Sequence, residues 1–206
     1  MNGLLLLTDR RQAARPLPEV IEAAVAGGAR LVVLRERDLP RDERAALADR
    51  LRGLLAPAGG TLIVAGPDPL GGDAVQLSAA GPYPPPRLGL VGRSCHDATE
   101  LGRLTTEDYV TVSPVFPTAS KPGYGPPLGV AGLARLVRAA GRPVFALAGV
   151  STAGQVAACR AAGAAGVAVM GAVMRAADPT ALVRELSTAL VCEPSAALSS
   201  AEVALR

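Results

Sequence analysis

The sequence predicts an α/β protein of the (β/α)8 TIM-barrel class, folded as one compact domain. Eight short apolar runs alternate with segments of amphipathic spacing, as expected for parallel strands separated by helices. Half of the residues are apolar but only 2% are aromatic, so the core must consist mainly of Val, Leu and Ala, which suits buried parallel strands. A length of 206 residues suits one barrel. A doubly wound sheet is the alternative, and the barrel is favoured because the alternation continues to eight.

The first half of the chain supplies four strands and two helices. Gly27 and Gly28 end the first helix, and Pro57 follows the second. Only residues 66–73 separate the third and fourth strands, which is too short for a crossover helix of ordinary length. A proline-rich loop, 79–87, comes next. The predicted strands are Leu4–Thr8, Leu31–Leu34, Thr61–Ala65 and Ala74–Leu77, and the predicted helices are Leu17–Ala26 and Arg41–Leu55.

The second half repeats the alternation. Ser94 or Asp97 is expected to cap its first helix, and Ser151 its third. Residues 1–190 are predicted to form the barrel, and residues 191–206 a flexible tail. The predicted strands are Leu90–Cys95, Tyr109–Val115, Val144–Ala148 and Val167–Met170, and the predicted helices are His96–Leu104, Val130–Ala140, Ala153–Ala162 and Pro179–Leu190.

Charge and cysteine content narrow the class of partner. The formal charge is +3, and the basic residues are scattered beside acidic ones, which argues against a nucleic-acid partner. Cys95, Cys159 and Cys192 are odd in number and lack CxxC spacing, so we assign them to packing rather than to disulfides or zinc. No signal sequence is recognised, and no apolar run reaches the ~18 residues that span a bilayer. We therefore expect a cytoplasmic protein without a membrane partner.

The loop after the sixth strand is the first candidate site. Thr118 and Ser120 place two hydroxyls beside the ammonium group of Lys121, a combination suited to an anionic ligand at the carboxyl end of a strand. The alternative is an ordinary surface loop stiffened by its prolines.

The other strand ends supply further candidates, because active sites of barrels lie at the carboxyl ends of the strands. Gly149 and Gly171 follow the last two strands, where backbone N–H groups commonly bind phosphate; tight turns are the alternative role for these glycines. His96, the one histidine of the chain, is either a proton-transfer group or a helix-start residue bonded to backbone. The remaining candidates at strand ends are Arg35, Arg37, Asp68, Ser94 and Met170, and Glu36 and Asp38 are expected to form ion pairs.

Several motifs together resemble the thiamine phosphate synthase/TenI family, over about residues 3–190. The matching segments are LLLLTDR, VVLRERD, VGRSCHDATEL, DYVTVSPVFPTASKPG, VFALAGV and GVAVMGAV. Synthases of this family join a pyrimidine pyrophosphate to a thiazole phosphate and release pyrophosphate with Mg²⁺ assistance. The resemblance therefore implies small phosphorylated pyrimidine and thiazole ligands.

The resemblance also assigns roles to individual residues. A leaving pyrophosphate requires concentrated positive charge, which Lys121 and Arg35 would supply, and Arg37 keeps the charge of the family's lysine with a different geometry. By this likeness Thr118, Ser120 and Lys121 would contact the pyrophosphate and the thiazole, Arg35 and Ser94 the pyrimidine pyrophosphate, and Gly149, Met170 and Gly171 the thiazole phosphate through backbone amides.

Departures from the synthase pattern affect the pyrimidine and the metal. The family's glutamine before the strand-two arginine is Val33, which cannot hydrogen-bond a pyrimidine. The acidic Mg²⁺ ligands correspond to Ala65–Gly66 and to Gly81, so the pattern predicts no metal site of the usual kind. Asp68 or Asp73 is an alternative source of ligands from a shifted loop, and Mg²⁺ is implied only if the protein is a synthase.

The RER triplet, the GRS–x–H segment and Gly66 look more like the TenI branch, some of whose members isomerise the thiazole phosphate carboxylate. Those tautomerases use a histidine at the end of strand six, where this chain has Pro114, so His96 becomes the candidate acid/base. Our preferred hypothesis is a TenI-like barrel with an altered acid/base. A synthase with a rebuilt Mg²⁺ site and a non-catalytic, regulatory barrel that binds thiazole or thiamine phosphate are the alternatives, and a homodimer is left open.

Overall fold

The computed structural model of the chain describes residues 2–118 and 126–191 and closes eight parallel strands into a barrel, in sequence order. The first strand pairs with the last as well as with the second, since Leu5 lies opposite both Leu31 and Ala168. This closure confirms the predicted TIM barrel and rules out the doubly wound sheet. The strands are β1 (Gly3–Leu7), β2 (Leu31–Leu34), β3 (Thr61–Ala65), β4 (Ala74–Leu77), β5 (Leu90–Cys95), β6 (Tyr109–Val112), β7 (Val144–Leu147) and β8 (Gly166–Val169).

Helices cover most of the outside of the barrel. As predicted, no helix lies between β3 and β4, and none lies between β4 and β5. Among the described residues, no helix combines the length and apolar character required to cross a membrane. The helices are α1 (Leu17–Ala26), α2 (Arg41–Leu55, followed by a 3-10 turn Ala56–Ala58), α3 (Ala98–Leu101), α4 (Gly129–Ala140), α5 (Ala153–Ala161), α6 (Gly171–Met174) and α7 (Pro179–Val191).

The strands carry two apolar layers because successive side chains point to opposite faces. One layer fills the barrel interior and includes Leu5, Ile63, Tyr109 and Phe145. The rings of Tyr109 and Phe145 meet edge to face, with their centroids 5.5 Å apart. The other layer packs between strands and helices and contains the buried thiols of Cys95 and Cys159, which confirms their assignment to packing; Cys192 lies outside the described residues.

A buried ion pair lies beside β4 and β5, which have no helix between them. The fully buried guanidinium of Arg93 donates to Glu107 Oε1 at 2.5 Å, and both side chains are inaccessible to solvent. The same guanidinium donates to the carbonyl oxygens of Ser78 (2.9 Å) and Pro82 (2.8 Å) and lies over the ring of Tyr83. Arg93 thus fixes the loop that follows β4 against the barrel wall.

Several predicted boundaries and caps were wrong, for local reasons. β6 ends at Val112 rather than Val115, because Pro114 has no N–H to donate to a neighbouring strand. The helix predicted to start at His96 is only Ala98–Leu101; of its two predicted caps, Asp97 is confirmed and Ser94 is wrong. Thr152, not Ser151, caps α5 by accepting from the N–H of Gln155. The short helix α6 was not predicted; Gly171 begins it directly after β8.

Candidate functional site

A cavity of about 560 Å³ opens at the carboxyl ends of the strands. Most of the residues singled out from the sequence line it, including the ends of β2, β5, β7 and β8. Ser120 and Lys121 lie outside the described residues, and Asp68 does not line the cavity. The predicted residues that line it are Arg35, Arg37, Ser94, His96, Thr118, Gly149, Met170 and Gly171.

The floor of the cavity is apolar on one side and polar on the other. The apolar side consists of the inward residues at the ends of β1, β2, β3, β7 and β8. On the polar side, Gln76 Nε2 donates to the hydroxyl oxygens of Ser94 (3.2 Å) and Thr111 (3.3 Å). A flat ring with polar atoms on one edge would suit such a floor. The apolar residues are Leu7, Val33, Ala65, Leu147 and Ala168.

Arg35 and Arg37 bring two guanidinium groups to the mouth of the cavity. The backbone N–H of Arg35 donates to Thr8 Oγ1 at 3.0 Å, and its Nη1 lies 2.6 Å from the sulfur of Met170, so its side chain reaches from β2 to β8. Among the described residues, neither guanidinium is paired with a carboxylate. Both charges are therefore available to an anion.

The acidic residues next to these arginines are occupied elsewhere. Glu36 and Asp38 both bond Arg10, at 3.1 Å and 2.5 Å, and Asp38 also bonds Arg11. The hydrogen bond from Arg10 lowers the pKa of Asp38 to about 2, so this carboxylate stays ionised in the pair. The expectation that Glu36 and Asp38 form ion pairs is confirmed, and these pairs hold the β2 loop without neutralising Arg35.

The segment after β7 approaches the loop after β6 very closely. Ala148 and Gly149 both have positive φ angles, 79° and 73°. A Cβ at residue 149 would lie 2.4 Å from the carbonyl oxygen of Pro117, so only glycine fits. The N–H groups of Gly149 and Val150 have no acceptor among the described residues, whereas that of Ser151 donates to Gln155 Oε1. Gly149 and Val150 both line the cavity, so these two N–H groups are candidates for binding an anion there.

Arg175 is a third cation of the mouth that the sequence analysis missed. Its guanidinium packs against Gly171, where a Cβ would lie 2.5 Å from Nη1. The same guanidinium donates to Gln12 Oε1, and Gln12 Nε2 donates to Asp9 Oδ2 at 2.6 Å. All four residues line the cavity. The sequence carried no clear signal for this contact, because the four-residue spacing from Gly171 to Arg175 brings them together only in α6, which was not predicted.

His96 is held by a neighbouring side chain. Its Nδ1 lies 2.8 Å from Glu100 Oε2, and the same oxygen accepts its backbone N–H at 2.7 Å. His96 thus lies two residues before α3, with Glu100 Oε2 as a partner of both its ring and its backbone N–H, and its role in proton transfer stays a prediction. Pro114 lines the cavity at the end of β6 and supplies no acid or base there.

The carboxylates of the described residues do not form a Mg²⁺ cradle. No group of three or more His, Cys, Asp or Glu side chains with metal-binding geometry occurs in residues 2–118 and 126–191. Asp68 is bonded to Arg41 and to the N–H of Leu70, and Asp73 precedes β4, at the opposite end of the barrel, so neither replaces the missing ligands. Asp9 lines the cavity, but its two oxygens accept from Arg11 N–H and Gln12.

The backbone also favours glycine at Gly66 and Gly81, the two positions that the resemblance matched to metal ligands. Gly66 and Gly81 have φ angles of 121° and 134°, which residues with a side chain rarely adopt. These loop conformations are therefore poorly suited to aspartate.

Comparisons with known proteins give a consistent result. A sequence model described as thiamine monophosphate synthase matches residues 4–173. A thiamine-phosphate synthase of Mycobacterium sp. (strain JLS) is 37% identical, with 92% of each chain covered, and one of Roseiflexus castenholzii is 35% identical over 88% of this chain and 85% of that protein. The solved structure of a thiamine phosphate pyrophosphorylase from Pyrococcus furiosus has a TM-score of 0.77 and 25% identity, covering 91% of this chain and 95% of that one.

Proposed function

The chain belongs to the thiamine monophosphate synthase family, and we propose that it is a thiamine phosphate synthase, joining hydroxymethylpyrimidine pyrophosphate to thiazole phosphate. The names of its relatives favour this reaction over the TenI-like tautomerase that we preferred from the sequence. One observation carries the proposal: the guanidinium groups of Arg35, Arg37 and Arg175 line a single cavity, and the one carboxylate among its described lining residues, Asp9, is already hydrogen-bonded. Such a mouth suits ligands that carry phosphate groups.

The reaction breaks one bond and forms another at a single carbon. The bond from the pyrimidine's methylene carbon to the pyrophosphate oxygen breaks, and the pyrophosphate leaves with the electron pair. The thiazole nitrogen then bonds to the same carbon, so no proton transfer is required at the reacting atoms. Charge that develops on the leaving oxygens is the main difference between ground and transition states, and fixed cations stabilise it.

Residues at different positions in the cavity are assigned different parts of this reaction. Arg35 and Arg37 lie at the end of β2 and would hold the pyrophosphate, with Thr118, Ser120 and Lys121 contributing as the resemblance implies. The N–H groups of Gly149 and Val150, which have no acceptor in the described part of the chain, would bind the thiazole phosphate, with Gly171 beside them. The apolar floor would exclude water from the developing cationic carbon, which water would otherwise capture.

Mg²⁺ assistance belongs to the family, but the described residues do not provide the usual carboxylate pair. We therefore derive no step through the metal. In this chain, the charge of the pyrophosphate is assigned to the guanidinium groups.

The tautomerase hypothesis lacks a specific observation in its favour. Isomerisation needs an acid/base at the thiazole, and Pro114 occupies the position of the branch's histidine. His96 lines the cavity, but its Nδ1 is bonded to Glu100. The non-catalytic hypothesis shares every contact described above and differs only in turnover, so an assay decides between them.

The test is a product assay with the purified full chain. Pyrimidine pyrophosphate and thiazole phosphate are supplied with Mg²⁺ or with a chelator, and thiamine phosphate and pyrophosphate are quantified by mass spectrometry. We expect equal amounts of both products, and a loss of kcat/KM of about a hundredfold or more in Arg35→Gln. Arg138→Gln, which removes an exposed guanidinium from α4, is the matched control and should leave kcat/KM unchanged.

Two results would contradict the proposal. Isomerisation of the thiazole carboxylate without condensation would support the tautomerase. Calorimetric binding of both phosphorylated ligands without any product would support the regulatory barrel.

A further inference from the structure

Three polar side chains on neighbouring strands form a hydrogen-bonded triangle in the floor of the cavity. Gln76 lies on β4, Ser94 on β5 and Thr111 on β6, where it is the register partner of Ser94. Gln76 Nε2 donates to both hydroxyl oxygens, at 3.2 Å to Ser94 and 3.3 Å to Thr111. Thr111 Oγ1 donates in turn to Ser94 Oγ at 3.4 Å. Gln76 and Thr111 are buried, so both commit polar atoms of the interior to this triangle.

The triangle leaves one hydrogen without an acceptor. A carboxamide has two N–H groups, and a hydroxyl has one hydrogen and two lone pairs. Both N–H groups of Gln76 and the hydroxyl hydrogen of Thr111 are used inside the triangle, and Ser94 Oγ accepts two of these bonds. The hydroxyl hydrogen of Ser94 has no acceptor in the described part of the chain, and Ser94 lines the cavity. Ser94 can therefore donate to a ligand but has no lone pair left with which to accept.

The orientation of the carboxamide follows from what lies on its other side. Its Oε1 is buried beside Gly92 and against the ring of Tyr109, because a Cβ at residue 92 would clash with both. The Tyr109 hydroxyl is buried as well, and it has no partner among the described residues. If the carboxamide were reversed, its two N–H groups would face the Tyr109 ring and share this one oxygen. Buried N–H groups are left unpaired more rarely than carbonyl oxygens, so the N–H groups face the two hydroxyls.

We propose that Gln76, together with Thr111, is a positioning residue that directs the hydroxyl hydrogen of Ser94 at an oxygen of the pyrophosphate group; this inference rests on the proposed function. The resemblance assigns Ser94 to the pyrimidine pyrophosphate but gives no role to Gln76 or Thr111. Pyrophosphate oxygens accept hydrogen bonds, as a hydroxyl held as a donor requires. A donor that is already oriented costs less to order on binding and stabilises charge that develops on the leaving group.

Binding of inorganic pyrophosphate tests this inference without catalysis. Pyrophosphate is titrated calorimetrically into the full chain in the absence of Mg²⁺. We expect Ser94→Ala to weaken binding about tenfold, because a hydrogen bond to a charged oxygen is lost. Gln76→Met keeps the length of the side chain but removes both N–H groups, and we expect it to weaken binding about threefold.

The double variant distinguishes positioning from a separate effect. Gln76→Met/Ser94→Ala should bind pyrophosphate no more weakly than Ser94→Ala alone, because Gln76 acts through the Ser94 hydroxyl. Losses that add in the double variant would overturn the proposal, and so would unchanged affinity in Gln76→Met.

Thr111 provides a rescue by a conservative substitution. Thr111→Val keeps the shape without the hydroxyl and should weaken pyrophosphate binding as Gln76→Met does, whereas Thr111→Ser returns the hydroxyl and should recover the affinity. Binding of thiazole phosphate reports whether each variant is folded and should change little. Equal weakening of both ligands would indicate a packing defect of the barrel interior and would overturn the proposal.

The two proposals fail separately. If the wild type makes no thiamine phosphate but binds pyrophosphate with non-additive losses, the synthase function is wrong and the positioning of Ser94 stands. If product forms but the losses in Gln76→Met and Ser94→Ala add, the positioning is wrong and the function stands. A wild type that makes product but shows no saturable binding of pyrophosphate would also overturn the positioning.

Discussion

The guanidinium of Arg175 occupies the space that a side chain at residue 171 would need. A Cβ added to Gly171 would lie 2.5 Å from Arg175 Nη1 and 2.9 Å from its Cζ. Gly171 therefore does more than start α6: its lack of a side chain allows the cation to lie at the end of β8. The hydrogen bond from Arg175 to Gln12 keeps the guanidinium over the cavity.

This contact predicts that substitutions at the two residues are not additive. Arg175→Gln should raise KM for thiazole phosphate about tenfold, because a charge-assisted hydrogen bond to phosphate is lost. Gly171→Ala should raise the same KM by displacing the guanidinium, and the double variant should be little worse than Arg175→Gln alone. Steady-state kinetics with each substrate varied separately provide the measurement.

The KM for the pyrimidine pyrophosphate acts as the internal control for these variants. It should change less than the KM for thiazole phosphate, because Arg175 lies at β8 and not at β2. Equal increases in both KM values would show that Arg175 contributes only to the overall positive charge of the cavity. Additive effects of the two substitutions would show that Gly171 does not act through Arg175.

The barrel could be predicted from the sequence, but contacts made by long side chains could not. The eight strands could be predicted because strands buried on both faces appear as short continuous apolar runs between amphipathic helical segments. The inward position of Gln76 could also have been predicted, because it is the one polar residue of the strand AVQL and lies two residues after the inward-facing Ala74. The position of Arg175 could not be predicted, since it depends on α6, a helix of a single turn.

Loop geometry explains the other errors. Nothing in the spacing of Ser151 and Thr152 decides which one caps α5, because both are common caps and the choice follows from the backbone after Gly149. The burial of Arg93 could not be predicted either. Its partner Glu107 is fourteen residues away, and arginine is ordinarily exposed.

Gly149 is predicted to be intolerant of any side chain. Gly149→Ala should lower the free energy of unfolding by about 2 kcal/mol or more, because it combines a positive φ with a 2.4 Å approach to Pro117. Gly154→Ala in α5 is the matched control, since a Cβ there meets nothing within 4 Å and alanine favours the helix. Urea unfolding of both variants measures the difference; similar stabilities would contradict the prediction.

The Arg93–Glu107 pair is predicted to contribute to stability through the loop after β4. Arg93→Met should cost about 3 kcal/mol or more, because it leaves a buried carboxylate without its guanidinium and frees two carbonyl oxygens. The double variant Arg93→Met/Glu107→Leu should recover part of this loss, since neither charge is then buried alone. Denaturant unfolding tests both; a double variant less stable than Arg93→Met would contradict the prediction.

Glu107 also predicts how stability depends on pH. Burial opposes its ionisation, but the N–H of Thr105 and the guanidinium of Arg93 outweigh burial and hold its pKa below the ordinary 4.5. The unfolded chain then binds more protons than the folded one, so this contribution is present above pH 4.5 and is lost as the pH falls through the folded pKa. Glu107→Gln should flatten the acid limb of the unfolding curve, whereas Glu185→Gln, at an exposed position of α7, should not.

The glycines at the family's metal positions lead to a prediction about Mg²⁺. Titration of Mg²⁺ into the full chain without substrate should give no saturable binding below about 1 mM, because Asp9 is the one lining carboxylate among the described residues and its oxygens are engaged. Introducing acidic residues at these two positions should lower stability instead of simply creating a metal site. Gly66→Asp/Gly81→Asp places side chains at φ angles of 121° and 134°, and we expect the free energy of unfolding to fall by about 1–3 kcal/mol at each position. Ala80→Asp adds a carboxylate to the same loop at ordinary backbone angles and should leave stability nearly unchanged. Tight Mg²⁺ binding by the unaltered chain, abolished by Asp9→Asn, would show instead that Asp9 exchanges its hydrogen bonds for a metal.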